Sequence, residues 1–120
     1  MSKARAKGTV GENHFLPFLR SVFGERVERA PLKGMQDKGD YVGVPWLHES
    51  KNTAKPLFLA WARVCEKKAG CRWVILWKGD LRKNEGPYVL MPFDFYLHLA
   101  NAEQNLPANV RLQQAGRVDL

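Results

Sequence analysis

Residues Arg72-Trp-Val-Ile-Leu-Trp-Lys78 set five apolar side chains in a row between two charges. Successive side chains of a strand point to opposite faces, so a run that is apolar at every position belongs to a strand covered on both sides. One such strand commits the chain to a layered fold, with apolar cover above it and below it. Two helical patterns supply that cover. Phe15, Phe18, Leu19 and Val22 fall at i, i+3, i+4 and i+7 before Gly24, which predicts an amphipathic helix over Val10–Phe23. Pro17 inside it calls either for a kink or for a start only a few residues earlier. Leu57, Ala60, Trp61 and Val64 keep the same period and predict a helix from about residue 54 to Ala69, capped by Thr53, with Pro56 in its first turn and Gly70 as its stop.

The remaining segments are short. Glu25–Ala30 reads as a strand before Pro31, and Pro31–Gly39, with Lys33, Gly34 and Lys38, as a flexible basic loop. Asp40–Val44 and Leu47–Lys51 are strand-like runs joined by Pro45-Trp46, a hairpin pattern. Gly79–Gly86 is a loop, Pro87–Met91 a strand and Phe93–Ala100 a last helix. Helix, three strands, helix, two strands and helix make an α/β sandwich with a mixed central sheet of four or five strands flanked by helices. Residues 1–7 read as a basic N-terminal arm, either reaching for phosphates or solubilising the chain. Residues 8–100 form a single domain, and 101–120 a polar tail, loosely packed or part of a dimer contact.

No apolar stretch approaches the roughly 18 residues of a membrane span, and Met1–Lys7 lacks the apolar centre of a secretion signal. The expectation is an intracellular, cytoplasmic protein with no membrane partner. Cys65 and Cys71 do not have the spacing of a zinc knuckle or a redox pair, so both read as reduced. The charge is more telling. Lys and Arg number 19 against 12 Asp and Glu, a net charge of +7, which suits a polyanionic partner and nucleic acid first.

In a basic chain, acids placed among basic segments are the exceptions to explain. Glu49 and Lys51, two apart on a strand, share a face. Asp40 opens the neighbouring strand and, across so short a connection, lies opposite them. Two carboxylates and an ammonium at one sheet edge are either an ion-pair cluster or the donor set of a hard divalent cation, which takes one or two carboxylates and completes its shell with water and phosphate oxygens. His48 points to the opposite face and reads as packing, and His14 as a surface residue.

The string Asp40, eight residues, then Glu49-Ser50-Lys51 resembles the PD-(D/E)XK nuclease superfamily. Lys7-Gly8-Thr-Val-Gly-Glu12 resembles the opening motif of its archaeal-type Holliday junction resolvases, phage-encoded forms included. Gly39 stands where the motif's proline would be. The resemblance covers about residues 7–91 and implies a restriction-endonuclease-like core of order α-β-β-β-α-β. It implies that Asp40, Glu49 and the Ser50 carbonyl hold Mg²⁺, which Mn²⁺ can replace, with Glu12 joining directly or through water and Lys51 as the catalytic lysine. Lys7, Arg29, Lys33 and Lys38 are then the DNA-contacting cations. The implied substrate is DNA, a four-way junction first, cut by a homodimer because symmetric nicks need two sites. A nuclease acting on nicked, flapped or duplex DNA, and a non-catalytic DNA-binding module, are the alternatives.

Overall fold

The computed structural model describes residues 3–31 and 39–110, apart from the side chains of residues 3–7 and of residue 81. The elements run α1 (Lys3–Phe23), β1 (Glu28–Arg29), β2 (Tyr41–Val42), β3 (Leu47–Lys51), α2 (Phe58–Ala69), β4 (Trp73–Trp77), a 3-10 turn (Leu81–Lys83), β5 (Tyr88–Leu90) and α3 (Phe93–Gln104). The chain is mixed α/β. β3 and β4 pair in parallel over all five residues, and β5 adds antiparallel to β4.

β4 is covered on both faces. Trp73 and Ile75 pack with Leu47 of β3 and with Trp61 and Cys65 of α2. Val74 and Leu76, on the alternate face, pack with Phe15 and Leu19 of α1 and Phe95 of α3. Each such buried side chain contributes about 1.5–3 kcal/mol, so these two clusters hold the layers together.

The single sheet expected from the sequence is divided in two. β2 forms no ladder with β3. It pairs instead with β1, antiparallel, Glu28 opposite Val42 and Arg29 opposite Tyr41. The Pro45-Trp46 hairpin gives way because β4 offers β3 a five-residue apolar partner, and burial along that whole length outweighs a short local turn. Asp40 joins the two sheets: its carbonyl accepts from the Ala30 N–H at 2.8 Å and its own N–H donates to the His48 carbonyl at 2.9 Å.

Several boundaries also move. α1 starts at Lys3, so residues 3–7 of the expected basic arm are helical backbone, as the high helix propensity of Ala, Lys and Arg favours. Pro17 sits inside α1. It and Asn13 are exposed, so the carbonyl that loses its helical partner faces water. α2 begins at Phe58, not near residue 54. Pro56 keeps Lys55 out of the helical region, and the Thr53 hydroxyl donates to the Lys55 carbonyl rather than capping the helix. Its buried stripe is Trp61 and Cys65, while Leu57, Ala60 and Val64 are exposed. α3 runs four residues beyond Ala100, into the expected tail; residues 111–120 lie outside the described residues.

Gly39 sets the approach of Asp40 to β3. Its φ is +82°, and a Cβ there would meet the His48 carbonyl oxygen at 2.6 Å. Proline, locked near −65°, cannot take this conformation, which accounts for glycine at the position before Asp40. Gly39→Ala is therefore expected to cost about 2 kcal/mol or more, read as a lowered urea midpoint.

Candidate functional site

β3 is an edge of the three-stranded sheet, and Asp40 lies along its open side. Beyond the backbone bond to His48, one carboxylate oxygen of Asp40 accepts the Ser50 N–H at 2.8 Å, with the Ser50 hydroxyl at 3.4 Å. A side chain thus does what a paired strand's carbonyl would do, and the carboxylate is fixed against β3 beside Glu49.

Glu49 points to the α2 face with Lys51, as strand alternation requires. It is only 7% exposed. Lys68 of α2 reaches it, Nζ to Oε1 at 3.2 Å. That contact does not offset its surroundings: burial, then the charge of Asp40 and a hydrogen bond with it, push the Glu49 carboxyl up to about 7. Beneath it the Cys65 thiol is pushed up to about 11, first by burial and then by the Glu49 charge. Cys65 and Cys71 are both free, as the sequence predicts.

Glu12 comes to the same region from α1. Gly11 makes this approach close, since a Cβ there would stand 3.0 Å from that of Asn52, just past β3. Burial raises Glu12 above the ordinary carboxylate value; the hydrogen bond from Arg29 opposes the rise and the Asp40 charge adds to it. Arg29 Nε donates to Glu12 at 3.0 Å, and its Nη2 to the Thr9 hydroxyl at 3.4 Å. The Tyr41 hydroxyl donates to the Glu12 backbone carbonyl at 2.8 Å, tying α1 to β2.

Asp40, Glu49 and Ser50 therefore gather, Glu12 stays with Arg29 on α1's side, and Lys51 turns aside. Its ammonium lies over the Trp61 ring, 5.6 Å from the centroid, and Lys68 is the lysine on Glu49. Arg29 is engaged by Glu12. Lys33 and Lys38 lie outside the described residues, as does the side chain of Lys7. His48 is buried and stacked on Trp46, its Nδ1–H donating to the Trp46 carbonyl at 2.9 Å, and burial pushes it below the ordinary histidine value. His14, read as a surface residue, is half-buried against Phe15 and Phe18. The sequence reading missed Lys68, Tyr41 and Thr9. Lys68 had a signal: Trp61, Cys65 and Lys68 fall at i, i+4 and i+7, so a lysine stands on the helix stripe that faces the sheet.

Among the described residues no group of three or more His, Cys, Asp and Glu side chains is arranged to hold a metal ion. The donor set that does gather is the pair Asp40 and Glu49. Glu49, pushed up to about 7 first by burial and then by the charge of Asp40, stands beside a second carboxyl; such a pair is a place where a hard cation favours the charged forms, and two carboxylates suffice for Mg²⁺. The residues present therefore fit such an ion at Asp40 and Glu49, with Glu12 engaged by Arg29.

No protein-family model, curated protein or solved structure matches the chain. Among the described residues no helix is long and apolar enough to cross a membrane.

A carboxyl raised from an ordinary 4.5 to about 7 stabilises the fold below 4.5, and that contribution is lost as the pH rises through 7. Glu49→Gln removes the loss. In metal-free buffer its stability relative to the wild type is expected to rise by roughly 2–3 kcal/mol between pH 4.5 and 8. Paired urea titrations read this difference, and the opposite acid sensitivity of His48, common to both proteins, cancels.

Proposed function

We propose that this chain is a divalent-metal-dependent DNA endonuclease with a restriction-endonuclease-like core, and that four-way junctions are its favoured substrate. The observation that carries the reading is the carboxyl pair of half-buried Asp40 and buried Glu49 at the edge of β3, in a chain of net charge +7. Here the second acid is buried against the first, a costly arrangement that a cation would repay. The order α-β-β-β-α-β and the Asp40, Glu49-Ser50-Lys51 string support the same reading.

In this reading Asp40, Glu49 and the Ser50 carbonyl hold Mg²⁺ or Mn²⁺, with Glu12 at the margin. The ion supplies charge neutralisation at the phosphate and a more acidic bound water. The chain's own groups do the rest. The Ser50 N–H orients Asp40, Lys68 steadies Glu49, and Arg29 keeps Glu12 on the same side while offering positive charge to a phosphate. Lys51, on a flexible stem over Trp61, is the ammonium free to swing toward the reacting phosphate. Two cuts in a junction call for a homodimer, and Phe93, Tyr96 and Leu97, exposed on α3, offer apolar surface for one. A non-catalytic DNA-binding module is the second reading, favoured by the fact that Glu12 and Glu49 each already have a cationic partner.

The test incubates labelled four-way junction, duplex and single strand with the protein in Mg²⁺ or EDTA. The junction is expected to be cut only with the metal, and Asp40→Asn and Lys51→Ala each to slow cutting by about 100-fold or more. Metal-independent cutting, or full activity in both variants, overturns the mechanism. Equal cutting of all three substrates removes the junction preference, and tight binding without cutting favours the second reading. In parallel, Mg²⁺ is expected to raise the melting temperature of the wild type at pH 8 and to leave that of Glu49→Gln unchanged.

A further inference from the structure

The registers of the three-stranded sheet bring Lys51, Trp77 and Tyr88 into one row across β3, β4 and β5, at the end where the parallel pair β3 and β4 finishes. Directly opposed residues of neighbouring strands share a face, so this row lies on the α2 face with Glu49, two residues before Lys51. The rings along it touch. Tyr88 stacks on Trp77 with centroids 5.6 Å apart and planes 29° apart, and Phe58, at the start of α2, meets Trp77 edge-on at 5.4 Å. Trp77 is fixed in turn, its Nε1–H donating to the Thr53 carbonyl at 2.8 Å. Phe58 and Tyr88 nevertheless remain 40% and 52% exposed. The row is thus a set of held but open rings outside the carboxyl ends of parallel strands, the end of an open α/β sheet where ligands bind.

The segments that supply these rings are cationic. Residues 50–65, which bring Lys51 and Phe58, hold three Lys and Arg and no acid, and residues 67–79, which bring Trp77, hold four and no acid. Glu66, between the two segments, stands about two turns beyond Phe58 on α2. Residues 86–93, around Tyr88, carry no charge. An apolar protein face has no use for that positive charge, and a lone phosphate has none for the rings. A nucleic-acid strand answers both, with flat bases that stack on aromatic rings and phosphates that a lysine meets. Lys51 and Tyr88 stand two strand spacings apart, about 10 Å, so the lysine beside the carboxyl site and the open ring lie along one path across the sheet.

We propose that Tyr88, backed by Trp77 and Phe58, stacks an unpaired base of the DNA strand whose phosphate lies at Lys51, so that the protein favours DNA with an unpaired nucleotide beside the carboxyl site. That the ligand is DNA rests on the nuclease reading; the stacking itself requires no cutting. The preference follows because a base taken out of an intact duplex loses its pairing and stacking, a loss largely absent at a branch, a gap or a free end.

The test measures, in EDTA, the binding of a fluorescently labelled single strand and of the duplex of the same sequence. Tyr88→Ala is expected to weaken single-strand binding about tenfold and to leave duplex binding unchanged, whereas Tyr88→Phe, which keeps the ring, binds both as the wild type does. Val89→Ala, at the next and equally exposed position but on the other face of β5, is expected to change neither and so separates loss of the ring from disturbance of the strand. Lys51→Ala is expected to weaken both probes and lower the salt slope by about 1. Wild-type single-strand binding by Tyr88→Ala, or an equal loss in Val89→Ala, overturns the proposal. Loss of a dimer by Tyr88→Ala in sedimentation, with strand binding unchanged, assigns the row to a second copy of the chain and also overturns it. Ring-dependent single-strand binding in a protein that cuts no probe when Mg²⁺ is added removes the nuclease reading alone, and cutting with strand binding untouched by Tyr88→Ala removes the stacking proposal alone.

Discussion

The Asp40 carboxylate on the Ser50 N–H is the contact on which the rest of the arrangement depends. Among the described residues there are two small sheets, and the two-stranded one is too small to stand alone. Asp40 closes the seam between them with backbone bonds on both sides and a side-chain bond to β3. Gly39 is what lets it in, since any Cβ at that position would strike the backbone of β3. The same geometry that joins the sheets therefore aims a carboxylate along an edge strand, beside an acid that strand alternation has turned inward.

That placement leaves an unresolved charge. Glu49 is buried next to Asp40, and Lys68 only partly compensates. The cation proposed for this pair would relieve that charge. The two lysines then divide their work: Lys68, on the helix stripe, holds the acid, while Lys51 rests on Trp61 with its ammonium uncommitted to Glu49. Around them Arg29, Glu12 and Tyr41 lock α1 to β1 and β2.

Much of this was legible in the sequence. The apolar run Trp73–Trp77 announced a doubly covered strand, and the period of Phe15 and Leu19 announced one of its covers. Alternation along Leu47–Lys51 placed Glu49 and Lys51 on one face and His48 on the other. The partners were not legible. β2 turned to β1 because the pull on β3 came from β4, beyond the intervening helix, and local turn residues carry no information about a strand that far away. α2 lost its first turn to Pro56, a local effect that a periodicity argument overlooks.

The sequence by itself determined the α/β layering, the element order and which acids could meet, because periodicity and strand alternation are properties of the local chain. The tertiary structure alone decided which cation answers which acid. Lys68 stands nineteen residues from Glu49 and Arg29 seventeen from Glu12, and they meet only because α2 and α1 pack on opposite faces of β3 and β4. It also decided that Lys51 lies over an aromatic ring rather than on its neighbouring acid, since a lysine's long stem follows the packing around it and not its spacing along the strand.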